Sequence, residues 1–265
     1  MTWAKMTRML EAYDSLTPTA ICNNMAREVL EFDDVSSVLY ILDKDNMEAN
    51  NVALVKAKKW VAKALDIFAD ELDDYINAHD DLGDAVYYLE TSKESEGKLK
   101  LSTVLYYLEM DCSRIESDEF TSFRNALNTM SSLERKWFLR YWIRKPRNGI
   151  NSGLVTKIVA KAFDKKVAET KKHLNTNSLV NVVKYYEMDE VPPNNLSHGK
   201  FIAPMLAKDV PIKKWPRNKI VDYKYDGNRY QIHKEGDSVI IFNRKGKVVT
   251  QQFPDIVEQV REYEH

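Results

Sequence analysis

The chain has 265 residues, 44% of them hydrophobic and 30% charged, and a formal net charge of −1. This composition is typical of a globular protein and gives room for one large domain or two ordinary ones. The chain contains no apolar run near the roughly twenty residues that span a bilayer and no secretory signal in its first residues, so we expect a cytoplasmic protein without a membrane segment.

Residues 1–190 are predicted to form a helical domain. Prolines are sparse there, and apolar residues recur with helical spacing. Thr17 and Pro18 are typical of a helix start, with Thr as the N-cap and Pro at the first position. The apolar faces of residues 133–142 and 154–163 predict two further helices. Their aromatic residues are interpreted as core.

Basic residues are concentrated late in this domain. Residues 134–172 contain twelve Lys and Arg residues against three Asp and Glu residues, a local net charge of +9, whereas residues 1–133 have a net charge of −12. A solvated helix face is the ordinary interpretation of such a run. We predict instead that Arg144, Lys145 and Arg147 bind DNA phosphates, because they lead into a glycine turn.

The same basic segment begins with Arg135, Lys136 and Arg140, which are expected to project away from the aromatic core stripe of their helix. The next helix is predicted to start near Ser152. A basic helix end beside a fresh helix N-terminus is a suitable phosphate site. The acidic first half of the domain would repel DNA and confine it to one face.

The chain changes character at Val191. Six of the eight prolines follow it, and residues 191–200 are interpreted as a linker. Beyond the linker, the alternation of apolar and polar residues and the turn-forming residues between them predict short antiparallel strands and a closing helix. These elements are predicted over residues 220–223, 230–233, 238–242 and 256–263.

The most specific signal in the chain is the pattern K-x-D-G-x-R in Lys224-Tyr225-Asp226-Gly227-Asn228-Arg229. It fixes four residue types in six positions and combines a nucleophile, a tight turn and a cation. Asp226-Gly227 is also typical of an ordinary hairpin turn with solvated neighbours. A second basic turn, residues 243–247, follows two predicted strands later. Two cationic turns beside strand ends favour a polyphosphate ligand.

With these two motifs and the upstream segment Ile202-Ala203-Pro204-Met205-Leu206-Ala207, the chain resembles the ATP-dependent DNA ligases of the covalent nucleotidyltransferase superfamily. The resemblance implies a multidomain fold, with an all-α DNA-binding domain over residues 1–190. Residues 201–265 would supply the first β-strands of an α+β adenylation domain. The resemblance also implies ATP and Mg²⁺ as cofactors and nicked double-stranded DNA as the partner, in DNA replication, repair and recombination.

The same resemblance assigns roles to single residues. In that family the motif lysine attacks the α-phosphate of ATP, and AMP then passes to the 5′-phosphate of a nick before the strand is sealed. Lys224 is by this resemblance the catalytic nucleophile, and Asp222, Arg229 and Arg244 bind the nucleotide. Nearby cations and desolvation would keep the lysine amine neutral, as a nucleophile must be. Two departures are Asp222 where Glu is common and Asn243 where Ser is usual.

The family's later features do not appear in these 265 residues. They include the carboxylates that bind the metal, the distal lysines and the OB-fold domain. We therefore expect the front portion of a ligase, which alone is not competent for ligation. No metal site is predicted from the chain's own residues, because its five histidines and two cysteines lack ligand spacing.

Two alternatives stay open. The first is a non-catalytic DNA-binding fragment of a split or truncated ligase. The second, less favoured, is an RNA ligase or a capping guanylyltransferase, which share the lysine motif but usually lack nearly two hundred helical residues upstream. An NAD-dependent ligase is disfavoured, because Tyr185-Tyr186 is too close to Lys224 to serve as its dinucleotide-binding segment.

Overall fold

A computed structural model of the chain shows two compact units. The residues that it describes are 2–44, 52–89, 99–110, 118–193, 198–202, 204, 211, 222–223, 226–244 and 246–263. One unit comprises Met1–Lys171 and Leu179–Val191, and the other comprises Lys172–Ser178 and Pro192–His265. The first unit is helical, and the second contains the strands.

Helices dominate the described part of the chain. They are α1 (Trp3–Tyr13), α2 (Pro18–Glu28), α3 (Val35–Leu42), α4 (Leu54–Leu65), α5 (Ala69–His79), α6 (Leu82–Leu89), α7 (Leu101–Glu109), α8 (Asp118–Thr129), α9 (Ser132–Trp142), α10 (Ser152–Ala162), α11 (Val167–Thr176), α12 (Leu179–Glu187) and α13 (Pro254–Glu262). The strands are β1 (Tyr230–Glu235) and β2 (Ser238–Asn243), and short 3-10 helices cover Val29–Glu31 and Thr250–Gln252.

An aromatic cluster forms the centre of the helical unit. Trp60 of α4 meets Phe123 of α8 edge to face, with ring centroids 5.3 Å apart. Phe123 also lies 4.5 Å from Trp142 and 6.1 Å from Phe138, both on α9. Aromatic pairs of this kind add about 0.5–1.5 kcal/mol each beyond their burial. The prediction that the aromatic residues of this helix form core is confirmed.

The surroundings of α9 contradict the prediction for its basic residues. Every residue from Glu134 to Trp142 is buried, including Arg135, Lys136 and Arg140. Helices α1 and α6 both pack against α9. At Gly83 of α6 the approach is so close that a Cβ atom would lie 2.5 Å from the Lys136 carbonyl oxygen. The side of α9 that was expected to face solvent is therefore covered by other helices.

The second unit is built on the antiparallel pair β1 and β2. Glu235 pairs with Ser238, so a two-residue turn joins the strands, and Gly236 supplies its positive φ of 55°. The predicted strands over 230–233 and 238–242 are confirmed within these longer strands. The predicted helix near the end of the chain is confirmed as α13. Val248 forms a single bridge to Phe242.

Both faces of this hairpin are covered. On one face, Val239, Ile241 and Val249 form a small core, and apolar side chains around α13 pack against it. On the other face lies the segment 198–202. There the ring centroid of Phe201 is 5.8 Å from that of Phe242, and the Ile202 amide donates to Gln231 Oε1 at 3.2 Å. An isolated two-stranded hairpin is marginal in water, so this packing stabilises the strands.

Candidate functional site

Arg140 is buried, and three carboxylates surround its guanidinium. Its Nε donates to Asp81 Oδ1 at 3.1 Å, and its Nη2 donates to Asp84 Oδ2 at 2.8 Å. Its Nη1 donates to Asp14 Oδ2 at 3.5 Å. Burial acts to lower the pKa of Arg140, but the neighbouring carboxylates, Asp81 first among them, outweigh burial and raise it. Arg140 therefore joins α1, α6 and α9 as a structural cation.

Lys136 has a similar environment. Its Nζ lies 3.0 Å from Glu11 Oε1 and 3.1 Å from Asp84 Oδ1. Burial acts to lower the pKa of Lys136, but hydrogen bonds to these two carboxylates reverse the direction and raise it. Arg135 is also buried, which lowers its pKa, and its Nε donates to the Leu127 carbonyl at 2.7 Å. These three basic side chains are engaged inside the helical unit.

The loop between α9 and α10 has a defined conformation. Arg144 follows the C-cap of α9 and lies in the left-handed region, with a φ of 60°. Its amide donates to the Tyr141 carbonyl at 3.1 Å, and the Lys145 amide donates to the Arg140 carbonyl at 2.8 Å. This is the pairing of a Schellman motif, in which glycine is usual at the left-handed position. Further along the loop, buried Asn148 donates to Tyr141 Oη at 3.0 Å.

The predicted DNA contacts at the start of this loop differ in their side-chain environments. The guanidinium of Arg144 donates to the Lys44 carbonyl, so it is tied to the end of α3. Lys145 is exposed, and its side chain forms no hydrogen bond or ion pair within the described ranges. The ammonium of Lys145 therefore projects into solvent, where a phosphate can reach it without displacing a protein group.

Arg147 is the third predicted DNA contact, and two aspartates of the α5–α6 connection hold it. Its Nη1 and Nη2 donate to Asp80 Oδ2 at 3.4 and 3.3 Å. Its Nε lies 3.3 Å from Asp81 Oδ2. Asp81 therefore contacts both Arg147 and the buried Arg140. The loop and the carboxylate cluster form one connected network.

Side chains of the protein itself occupy the N-terminus of α10. Asn151 Oδ1 accepts from the Leu154 amide at 3.0 Å, as an N-cap does. The Ser152 hydroxyl donates to Asp43 Oδ1 at 2.6 Å, which brings a buried carboxylate to the same helix end. A phosphate placed there would meet a negative charge. The geometry favours the side chains of the loop as phosphate ligands over this helix terminus.

In the second unit, Arg229 and Arg244 lie at the same end of the hairpin. The register pairs Tyr230, the first residue of β1, with Asn243, the last residue of β2. Arg229 directly precedes this pair and Arg244 directly follows it. Both arginines are exposed, and neither takes part in an ion pair among the described residues. Two unpaired guanidinium groups beside one strand end attract an anion.

Hydrogen bonds and close packing hold the basic turn that carries Arg244. The Asn243 amide donates to the Lys247 carbonyl at 3.0 Å, and the Lys247 amide donates to Asn243 Oδ1 at 3.1 Å. Gly246 has a φ of 80°, and a Cβ atom there would lie 2.8 Å from the Phe201 ring. Glycine is therefore required both by the backbone and by the contact with Phe201.

The remaining motif residues are only partly described. Asp222 is exposed, its Oδ1 accepts from the Tyr223 amide at 2.8 Å, and neither residue belongs to a strand. The rest of the strand predicted over 220–223 lies outside the described residues, and so do Lys224 and Lys245. The role of Lys224 as nucleophile stays a prediction.

A buried ammonium group precedes the motif. Lys200 Nζ is shielded from solvent and has no hydrogen-bond partner in the parts of the chain that the structure describes. Burial lowers the pKa of Lys200 to about 8. The neighbouring His198 lies with Nδ1 3.5 Å from Glu235 Oε2, and its ring centroid is 6.3 Å from that of His233. The polar side chains of His198, His233 and Glu235 therefore lie on the hairpin face that the segment 198–202 covers.

Metal ligands are not grouped in the described residues. No cluster of three or more His, Cys, Asp or Glu side chains able to hold a metal ion occurs among them. Within the same residues, no helix has both the length and the apolar character needed to cross a bilayer.

Comparison with known proteins relates these features to a family. Residues 204–265 match the family model of the ATP dependent DNA ligase domain. Over a longer span, the chain is 26% identical to a probable DNA ligase of Persephonella marina over 230 residues, 80% of this chain and 40% of that protein. It is 27% identical to a DNA ligase of Sulfolobus acidocaldarius over 265 residues, 86% of this chain and 44% of that protein. The chain is therefore similar to DNA ligases, and its residues 204–265 to the ATP dependent DNA ligase domain.

The similarity to ligases extends over both units. The DNA ligase of Methanococcoides burtonii is 27% identical over 220 residues, 72% of this chain and 39% of that protein. Matches of this length are longer than the helical unit, so they include residues of both units. The family model itself includes four of the predicted site residues: Asp222, Lys224, Arg229 and Arg244. The chain spans about two fifths of the length of the ligases that it matches.

Three features of the site were missed from the sequence. The partners of Arg147 were not foreseen, although Asp80-Asp81 before Gly83 is an acidic pair beside a small residue, a pattern that suits close helix packing. Nothing in the sequence indicates that Lys200 is buried, because a lysine is usually exposed even when apolar residues are its neighbours in the sequence. The contact of Phe201 with Gly246 was predictable only in part. A glycine in a basic turn often has a positive φ, but its sequence position does not indicate which side chain packs against it.

Proposed function

We propose that this chain forms the DNA-binding and nucleotide-binding front portion of an ATP-dependent DNA ligase, which seals nicks through a lysine–AMP intermediate. The observation that carries the proposal is the placement of Arg229 and Arg244 at one end of the hairpin, within the residues that match the ligase domain. Their two exposed guanidinium groups suit the phosphate oxygens of ATP, because each offers a planar fork of donors.

The same cations favour a nucleophilic lysine. Lys224 precedes Arg229 by five residues, with the turn-forming Asp226-Gly227 between them. Positive charge nearby lowers the pKa of a lysine amine, because it disfavours the ammonium form. The neutral amine attacks the α-phosphorus of ATP. A nitrogen–phosphorus bond forms, the bond to pyrophosphate breaks, and the amine releases its proton to solvent.

The nucleotide then moves to DNA. A 5′-phosphate oxygen of the nick attacks the phosphorus of lysine–AMP, and the lysine amine is released. The neighbouring 3′-hydroxyl next displaces AMP and closes the strand. Arg244 serves here as a second phosphate contact. Among the described residues, no cluster of side chains fits Mg²⁺.

The helical unit supplies the DNA contact in this proposal. Lys145, Arg147 and Arg144 lie on one short loop, and Lys145 projects freely into solvent. Contacts between such side chains and phosphates position a protein on the duplex without reading its sequence. This suits an enzyme that acts on nicks in any sequence.

Labelling with ATP tests the proposal. Full-length wild-type protein, incubated with Mg²⁺ and ATP labelled at the α-phosphate, is expected to retain an acid-labile label, and Lys224→Ala is expected to lose it. Lys234→Ala is the matched control, since the ammonium of this β1 lysine donates to the Tyr263 carbonyl on an exposed surface. Label that persists in Lys224→Ala contradicts the assignment. Absence of label in every form, together with binding of nicked DNA, favours the non-catalytic alternative.

A further inference from the structure

Two neighbouring aspartates hold Arg147, and they differ in exposure. The side chain of Asp80 is 94% exposed, that of Arg147 is 43% exposed and that of Asp81 is only 2% exposed. One guanidinium is therefore shared between a carboxylate in solvent and a carboxylate in the protein interior.

The two carboxylates contact different edges of the guanidinium. Nη1 and Nη2, which form the fork that binds phosphates, both point to Asp80 Oδ2 at 3.4 and 3.3 Å. Nε, on the other edge, lies 3.3 Å from Asp81 Oδ2. A phosphate that binds the fork must displace Asp80, but it leaves the contact with Asp81 intact.

The position of Asp81 is fixed by its surroundings. Its Oδ1 accepts from Arg140 Nε at 3.1 Å and from the Asp84 amide at 2.7 Å. On the same side, a Cβ atom at Gly83 would lie 3.0 Å from this oxygen, so the packing leaves little free space. A buried carboxylate with this many partners keeps one orientation, and the oxygen that faces Arg147 is held in place.

Asp80 has none of these constraints on its carboxylate. It follows α5 in the left-handed region, with a φ of 50°, and its side chain lies in solvent. An exposed ion pair of this kind is weak, because water solvates both charges and salt screens them. A DNA phosphate, which sits in a dense array of negative charge, competes well against it.

We propose that Asp81 is a positioning residue for Arg147 and that Asp80 is a counter-ion that a DNA phosphate displaces. Asp81 aims the guanidinium fork outward by holding Nε. Asp80 occupies the fork in the free protein and lowers its affinity for anions. This inference rests on the proposed contact of Arg147 with DNA.

The two aspartates make opposite predictions for the same change of charge. Asp80→Asn is expected to tighten binding of a nicked duplex about twofold to fivefold at low salt, the range of a single exposed charge contact. Asp81→Asn is expected to weaken binding by a similar or larger factor, although it also removes a negative charge. Fluorescence anisotropy of a labelled nicked duplex across a salt series measures both. Glu31→Gln is the matched control, because Glu31 is an exposed acid paired with Lys5 elsewhere in the helical unit.

Double variants isolate the contribution of Arg147. In an Arg147→Gln background, Asp80→Asn and Asp81→Asn are expected to have no more effect than Glu31→Gln. Arg147→Lys keeps the positive charge but lacks Nε and the planar fork, so it is expected to bind more weakly than wild type and more tightly than Arg147→Gln. This variant also tests the positioning role if Asp81→Asn fails to fold. Wild-type affinity in Arg147→Lys overturns that role.

The failure of this inference and the failure of the DNA contact give different results. If Arg147→Gln binds the nicked duplex as tightly as wild type, the proposed contact of Arg147 with DNA is wrong. If Arg147→Gln weakens binding while Asp80→Asn and Asp81→Asn both tighten it to the same degree as Glu31→Gln, the contact stands. In that case the two aspartates act only through their charge, and the positioning and displacement roles are wrong.

Discussion

The helical unit and the hairpin unit use positive charge in opposite ways. In the helical unit, Arg135, Lys136 and Arg140 are buried, and carboxylates or carbonyl oxygens accept their hydrogen bonds. In the hairpin unit, Arg229 and Arg244 are exposed at one strand end, without ion pairs in the described ranges. The helical unit therefore contains the segment with the larger local positive charge. Groups of the protein itself already bind more of that charge than they do in the hairpin unit.

The difference shows that the number of basic residues in a segment does not measure its capacity to bind an anion. A buried pair has lost its hydration and is compensated by its own partner, so it contributes little field at the surface. An exposed, unpaired arginine keeps its charge available. In the basic segment 134–172, the loop after α9 is therefore a better candidate for DNA binding than α9 itself.

The largest expected effect is on the free energy of unfolding. It compares a buried arginine of the helical unit with an exposed arginine of the hairpin unit. Arg140→Met is expected to lower the free energy of unfolding by about 3–5 kcal/mol, because it leaves the buried Asp81 carboxylate without its main partner. Urea unfolding followed by tryptophan fluorescence measures it, since Trp60 and Trp142 lie in the core of this unit. Arg244→Met, the exposed control, is expected to stay within about 0.5 kcal/mol of wild type. Equal losses of unfolding free energy in the two variants would show that the two units do not differ in how they use arginine.

A smaller effect is expected on the salt dependence of DNA binding. Lys145→Gln is expected to reduce the slope of log affinity against log salt by about one, the value for one phosphate contact, with little change in stability. Lys58→Gln is the control, because Lys58 pairs with Asp73 away from the loop. Reversal of Arg144, Lys145 and Arg147 to Glu should weaken binding equally for duplexes of unrelated sequence. An unchanged slope in Lys145→Gln would show that this loop is an ordinary solvated surface without a phosphate contact at Lys145.

A further effect concerns the pH dependence of stability, through the buried ammonium of the hairpin unit. The folded pKa of Lys200 is about 8 against an ordinary value of 10.5, so unfolding takes up a proton between these pH values and stability rises across that window. Lys200→Met removes the cost of burying the charge. It is expected to stabilise the protein most below pH 8, with an advantage that shrinks towards pH 10.5. Thermal unfolding at several pH values measures it, and a constant difference would show that Lys200 stays charged when folded.

Much of the local structure could be predicted from the sequence. The helix start at Thr17 and Pro18 is confirmed, because the Thr17 hydroxyl accepts from the Ala20 amide and Pro18 begins α2. The hairpin was predictable because alternating side chains and a glycine turn are signals carried by adjacent residues. The placement of Arg229 and Arg244 at one end of the hairpin follows from the register that the turn at Gly236 sets.

The rest depends on contacts between distant residues. The periodicity of α9 marked its aromatic face but could not show that α1 and α6 cover the other face, since Glu11 and Asp84 are far away in the sequence. The left-handed conformation of Arg144 after α9 could not be predicted either, because glycine is the residue that usually indicates that conformation. The site was predictable where the motif is continuous and unpredictable where helix packing decides which charges are neutralised.

The pairing of α1 with α9 has a consequence for the order of folding. The indole of Trp3 donates to the Glu134 carbonyl, 131 residues later in the chain. During synthesis, the apolar face of α1 must therefore stay without its native cover until α9 has emerged, which exposes it to chaperones and to aggregation. By contrast, β1, β2 and α13 are consecutive along the chain, so the hairpin core closes through short loops. We expect the helical unit to complete its folding slowly, through long-range closure, and the hairpin to form quickly once its residues are available.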